Sequence, residues 1–269
     1  MAAWLAKNVG ASFLSCVYGS SSIPNLPSWT PDWSKHVLPS WLIGIGNVYC
    51  PLLAGGMHTQ AVGEILTGAA PDSNPTLKIG GKVLDRIRTC AHDLVPRNDC
   101  AALDDFVAEH EAYRHSLPAD AKGTALATAA VWTAKTTEIR LHPPQWMVRI
   151  GLPFSDSNVH SDNELANLIS SFCKERTLIS TMTGRLALVS EDARAGDAIV
   201  CFCGVGVPFV LRGPVSRPKV QKEDEEELDG AEGESWRIVA EAWVWGLMDG
   251  EVWELEGPGQ VETKDLYIC

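Results

Sequence analysis

The last third of the chain consists of short runs separated by glycine turns, and this pattern restricts the fold more than any other feature. Leu178–Thr181, Leu186–Val189, Ala198–Cys203, Phe209–Leu211, Trp236–Glu241 and Val244–Leu247 are rich in aliphatic, β-branched and aromatic residues. Gly184, Gly196-Asp197, Gly204 to Pro208 and Gly213-Pro214 interrupt them. Punctuation at this spacing predicts a small antiparallel sheet or barrel. A second set of strand-like runs lies earlier, at Ile43–Leu53, Thr59–Leu66 and Thr76–Arg88. Within the last of these, Leu77-Lys78-Ile79 alternates, and Val83, Asp85 and Ile87 continue beyond Gly80-Gly81. That predicts a half-buried strand with a bend or bulge at the glycines. Three strands make a small sheet that gains stability by pairing with more. The expected fold is therefore α+β, an antiparallel sheet or small barrel built from N- and C-terminal strands.

Between these sets the text turns helical. From Asn98 to Glu138 it is alanine-rich, with Leu103, Phe106, Val107 and Tyr113 near helical spacing and Asp99 as a candidate cap. Pro118 and Gly123 divide this stretch, and a further helix is expected from about Asp162 to Arg176. The expected organisation is one compact body: an extended Trp/Pro-rich lead-in (1–34), a β-rich segment (35–97), an inserted helical segment (98–176) and a β-rich C-terminal segment (177–269) with an acidic loop at 219–235. In the lead-in, Pro27 and Pro31 forbid a regular helix around Trp29 and Trp33. Its indoles are expected to cover an apolar surface.

Composition narrows the function classes. A hydrophobic content of 45% with 21% charged residues suits a water-soluble globular chain. No uncharged run supplies the roughly 20 apolar residues of a membrane span, and Lys7 with no charged region before it argues against a secretory leader. The expectation is a cytoplasmic protein with no membrane partner. Net charge is −12, but Glu223 to Glu234 contributes eight acids, so the rest of the chain carries −4. The acidity belongs mainly to one solvated loop that lengthens a hairpin, and nucleic acid is excluded as a partner for want of basic residues to neutralise phosphates. The eight cysteines are sparse and mostly sit among apolar neighbours, as reduced core residues do. Cys201-Phe202-Cys203 points two sulfurs to one face of a strand but has no second pair nearby, so no metal and no cofactor is expected.

Enzyme motifs fail in specific ways. There is no nucleophile elbow and no phosphate loop. Gly44-Ile-Gly46 and Gly204-Val-Gly206 lack the third glycine of a dinucleotide fingerprint and read as turns. His110 and His115 are five residues apart, about 500° of helical rotation, which leaves the imidazoles roughly 140° apart. Asp249 and Glu251 resemble a pair of catalytic acids, yet Met248-Asp249-Gly250-Glu251 is also a simple turn. The expectation is a chain without catalytic residues.

Ordered motifs supply a further signal. Gly184-Arg185-Leu-Ala-Leu-Val, Ala195-Gly196-Asp197-Ala-Ile-Val200, Val207-Pro208-Phe209-Val210-Leu211-Arg212 and Trp236 to Glu251, the last containing Glu241, Gly246, Met248 and Gly250, follow one another. Together they resemble the C-terminal region of fungal heterokaryon incompatibility proteins. Leu26-Pro-Ser-Trp29-Thr-Pro31-Asp32-Trp33-Ser34 is similar to the segment that follows the defining domain in those proteins, and Leu77 to Ile87 to one of their strands. The resemblance covers about Phe13 to Glu254. Ala240 and Trp243 stand where the family usually has Gly and Tyr, and the acidic run is not part of its pattern.

The family's N-terminal domain, similar to a Toll/interleukin-1 receptor domain, has no counterpart among these residues, so its activity is not carried over. The resemblance implies a non-enzymatic accessory or regulatory module of self/non-self recognition and programmed cell death in filamentous fungi, acting through an unidentified protein partner. A non-functional truncated fragment and an enzyme with an unrecognised pocket stay open as alternatives. The motif residues, Trp29, Pro31, Asp32, Trp33, Gly196, Asp197, Pro208, Phe209, Leu211, Arg212, Glu241, Gly246, Met248, Gly250 and Glu251, are expected to be structural. Trp29, Trp33 and Phe209 are expected as packed anchors and Gly196 or Gly250 at positive φ.

Overall fold

The computed structural model describes residues 13–14, 17, 23–32, 34, 64–66, 75–91, 100–121, 175–216, 234–244, 246–248, 250–254 and 260–269. Eight strands and one long helix organise them: β1 (Glu64–Leu66), β2 (Thr76–Cys90), α1 (Cys100–Ser116), β3 (Arg176–Thr181), β4 (Leu186–Ser190), β5 (Ala198–Phe202), β6 (Phe209–Ser216), β7 (Glu234–Val244) and β8 (Lys264–Ile268). The result is a sheet-rich α+β fold whose pairings are antiparallel except for β7 with β8. β2 crosses the whole assembly, pairing with β8 at Leu77–Gly81, with β5 at Gly81–Arg86 and with β3 at Ile87–Cys90. An N-terminal strand thus joins three strands of the last third into one sheet. Pairing continues from β3 through β4, β7, β6 and β5, and β5 meets β2 again.

The bulges of β2 fall between Val83 and Asp85 and between Ile87 and Thr89, not at Gly80-Gly81 as the sequence suggests. The glycines lie in regular register with Asp265 and Lys264. What Gly81 supplies is room: a Cβ there would stand 3.0 Å from the Cys201 carbonyl oxygen and 3.1 Å from both Phe202 and Leu266 side chains. A side chain would wedge apart the strands on either flank of β2.

Several expected boundaries move. The runs Trp236–Glu241 and Val244–Leu247 are not two strands: β7 continues through Ala242 and Trp243, and Leu247 lies in the turn that follows Gly246 at φ 78°. β7 begins at Glu234, so the acidic loop gives up its last two residues, Glu234 and Ser235, to the strand, and the helical segment gives up Arg176 to β3. β8 is an addition with no counterpart in the expectations. α1 ends just before Pro118 as predicted. The expected strand at Ile43–Leu53, the second Ala-rich helix, the helix before Arg176, Asp99 and Glu223–Glu232 lie outside the described residues.

β5 is buried at every position, which a continuous apolar run in a strand covered on both faces requires. Ala198, Val200 and Phe202 join one core with Leu77, Ile79, Phe209, Leu211, Trp236, Ile238, Leu266 and Ile268. Ile199 and Cys201 join another with Leu84, Ile87, Ile179, Val189, Val210, Val244 and Leu247. Strands β3 and β4 close only the second core, and β8 only the first. The lead-in covers the first: Phe13, Leu14, Val17 and Trp29 pack into it. Ser28 clips it to the strands, since the Ile238 N–H donates to its Oγ at 3.0 Å while its own N–H donates to the Cys269 carbonyl at 3.0 Å.

Candidate functional site

Among the described residues, four charged side chains reach into the second core, where an apolar interior is the rule. Lys82 and Asp85 come from β2, Arg185 from the β3–β4 turn, and Glu251 from a 3-10 turn, Glu251–Trp253, that follows β7. All are buried, Glu251 at 1% exposure. Charges are kept in such a place only when they are paired. Arg185 Nη1 lies 3.5 Å from Asp85 Oδ2 and donates to Thr183 Oγ1 at 3.1 Å. Asp85 also accepts from the Thr183 hydroxyl, from the Thr183 N–H at 3.2 Å and from the Arg86 N–H at 2.8 Å. One carboxylate therefore fixes both the bulge of β2 and the β3–β4 turn.

Lys82 stands opposite Cys201 in the β2–β5 register. Its Nζ donates to the Val252 carbonyl at 3.2 Å and lies 4.6 Å from the Trp253 ring centroid, a cation–π distance. Burial lowers its pKa, against the opposing influence of Cys203 and Cys201. Burial, and then the negative field of Glu251, pushes the Cys201 thiol up far out of the thiolate range. Cys201 is thus a packing residue in this setting, as the sequence suggests. The lysine ties the strand to the 3-10 turn, and the turn carries Glu251 into the same interior.

The motif residues divide among turns, ion pairs and anchors. Asp197 accepts from the Arg194 N–H at 2.9 Å and holds Arg212 through Nε at 3.0 Å and Nη2 at 2.8 Å. This two-pronged pair raises the Arg212 pKa. Arg212 also donates to the Asp192 carbonyl at 2.7 Å, so the turn before β5 is stapled to β6. Glu241 is buried on β7 and bonded to Arg176 of β3 at 2.9 Å. The Pro208 carbonyl accepts from the Ala242 N–H at 2.8 Å, and Met248 Sδ from the Val244 N–H at 3.5 Å. Gly196, Gly246 and Gly250 have φ of 90°, 78° and 85°. Gly250 precedes the 3-10 turn, and its carbonyl accepts from the Trp253 N–H at 2.9 Å.

Phe209 and Leu211 are fully buried, and Trp29 is buried with its Nε1 donating to the Pro75 carbonyl at 3.1 Å. Asp32 accepts from the Ser34 N–H at 3.1 Å in a local turn, with Pro31 buried beside it. Trp33 and Asp249 lie outside the described residues. Among the described motif residues, Asp197 pairs with Arg212 and Glu241 with Arg176 as two separate fastenings, while Glu251 is buried near Cys201 in the second core.

Two further arrangements have chemically suggestive partners. His110 and His115 diverge as their spacing requires, His110 buried and His115 exposed. His110 Nδ1 lies 2.9 Å from Ser180 Oγ, a nucleophile-and-base distance, but both side chains are buried and the hydroxyl also accepts from Arg88 Nε at 3.3 Å. Among the described residues no group of three or more His, Cys, Asp or Glu is placed to hold a metal ion, and no helix is long and apolar enough to cross a membrane. Sequence reasoning missed Lys82, Asp85 and Arg176 as network members. For Lys82 and Asp85 the available signal was charge inside a strand-like run, whereas Arg176 stood at the end of an expected helix; the partners are too distant in sequence to assign. No protein-family model, curated protein or solved structure matches the chain.

Proposed function

We propose that this chain is a non-enzymatic accessory or regulatory module of the heterokaryon incompatibility type, acting in the cytoplasm by binding a protein partner in self/non-self recognition. On this reading its strands wrap into a small barrel, supported by the return of the pairing path from β5 to β2. The observation that carries the functional reading is the use of the motif carboxylates. Asp197, in the turn before β5, is bound to Arg212 of β6, and Glu241 of β7 to Arg176 of β3. Carboxylates engaged in this way favour an architectural use of the motifs over a catalytic one.

The resemblance to these fungal proteins names the process, and the experiment that tests it is genetic. Expressing the chain in a filamentous fungus beside an incompatible pair should change the strength of the cell-death reaction, while the Asp85→Ala variant should not. An unchanged reaction at matched protein level contradicts the reading. The non-enzymatic part is tested separately by following nicotinamide release from NAD with the purified chain at high concentration. No turnover is expected. Turnover that survives repurification and is lost in Glu241→Gln or Glu251→Gln, with folding intact, overturns it.

A further inference from the structure

α1 is seated on the sheet by a face that Phe106, His110 and Tyr113 lay out at helical spacing, with Leu117 continuing it past the helix end. Phe106 and His110 are buried. The seat is close: a Cβ on Gly184 would lie 3.2 Å from Arg114 Cγ and 3.3 Å from Leu117 Cδ1. Arg88 of β2 stacks 4.0 Å from the Tyr113 ring centroid, the Tyr113 hydroxyl donates to the Met182 carbonyl at 2.9 Å, and Glu109 pairs with Arg88 at 3.4 Å.

The polarity of the central bond is fixed by its neighbours. Ser180 Oγ accepts from Arg88 Nε at 3.3 Å and has His110 Nδ1 at 2.9 Å. The described residues offer the hydroxyl hydrogen no acceptor besides that nitrogen. Nδ1 must therefore present a lone pair, which places the ring proton on Nε2 and leaves the imidazole neutral. A second proton on the ring would turn Nδ1 into a donor, strand the serine hydrogen and set a cation beside the Arg88 guanidinium.

We propose that the contact of His110 on α1 with Ser180 on β3 is a pH-sensitive latch, holding the helix on the sheet while the ring is neutral and releasing it when the ring is protonated. Among the described residues, the charged groups facing the ring are Glu111 and Arg114 on α1 and Arg88 on β2, with Glu109 engaged by Arg88. Burial is the main cause that lowers the His110 pKa below its ordinary 6.5; Glu111 opposes it, and Arg114 and Arg88 add to it. The released helix then takes up the proton more readily than the seated one. Seating is at full strength above pH 6.5, weakens as pH falls through that value, and loses no more once pH is below the seated ring's own pKa.

Hydrogen exchange read by mass spectrometry on the intact chain tests this at about pH 7.5 and about pH 5.5, either side of ordinary histidine titration. After correction for intrinsic rates, amides of residues 100–116 should lose protection at the lower pH by up to about tenfold per unit, the slope of one proton, while those of β5 do not. His110→Asn, whose Oδ1 can accept the serine hydrogen, should show α1 protection that is the same at both pH values. Ring-nitrogen NMR of the unsubstituted protein gives an independent reading, and His110 should be neutral at the higher pH with its proton on Nε2. Equal α1 protection at both pH values, a His110→Asn variant that loses protection as the parent does, or a His110 already protonated at the higher pH would each overturn the latch.

Discussion

β5 borders two cores that are built on opposite principles. On one side, Ala198, Val200 and Phe202 meet aromatic and aliphatic side chains, and Trp29 from the lead-in closes that core with its indole N–H satisfied by a carbonyl. On the other, Ile199 and Cys201 share their core with the Asp85–Arg185 pair, Lys82 and Glu251. The first core is held by area and shape, which tolerate swaps of similar volume and punish truncation. The second adds charges that are tolerable only in company, so a lost partner costs more than a lost methyl group.

The largest effect should therefore come from the second core. Asp85→Ala leaves Arg185 buried without its carboxylate and releases the Thr183 turn, and should lower stability in urea unfolding by about 3–5 kcal/mol. Replacing Asp85 with Leu and Arg185 with Met together should cost less than the single change. A double variant worse than Asp85→Ala would show that the charges specify this core in a way apolar packing cannot replace.

In the first core, Trp29→Ala should cost about 3 kcal/mol by cavity formation. Trp29→Phe should lose mainly the bond to the Pro75 carbonyl, about 1 kcal/mol. A loss in the Ala variant as small as in the Phe variant would mean that the lead-in lies loosely on the sheet. Gly250→Ala comes next, at about 1–2 kcal/mol for an L-residue held in the left-handed region, read from thermal unfolding. Ser28→Ala should be the smallest, about 1 kcal/mol, and should raise exchange at the Ile238 amide that donates to the hydroxyl. An Ile238 amide unaffected by the change would remove Ser28 from the clip.

The two cores were not equally legible in the sequence. β2, β5 and the glycine turns stand out because their signal is local: Leu77-Lys78-Ile79 alternates, Ala198–Phe202 is wholly apolar, and Gly196 and Gly250 occupy positions where a side chain resists the backbone angle. The anchors Trp29 and Phe209 could be named for their apolar bulk. The second core was opaque because its logic is pairwise and distant. Asp85 reads as one more polar residue in an alternating strand until the β3–β4 turn brings Thr183 and Arg185 to it. Glu241 reads as a motif residue until β3 supplies Arg176. β8 was missed because Lys264-Asp-Leu-Tyr-Ile is short and opens on two charged residues, and its strand character comes from pairing with β2 and β7.

The central claim is that these dissimilar cores are one cooperative unit, because β2, β5, β6 and β7 contribute to both. Native-state hydrogen exchange in rising urea tests it directly by comparing amides of β8, which closes only the first core, with amides of β4, which closes only the second. The account predicts that both sets converge on one unfolding free energy and one urea dependence. A persistent gap, with one strand opening while the other stays protected to the global limit, would contradict it.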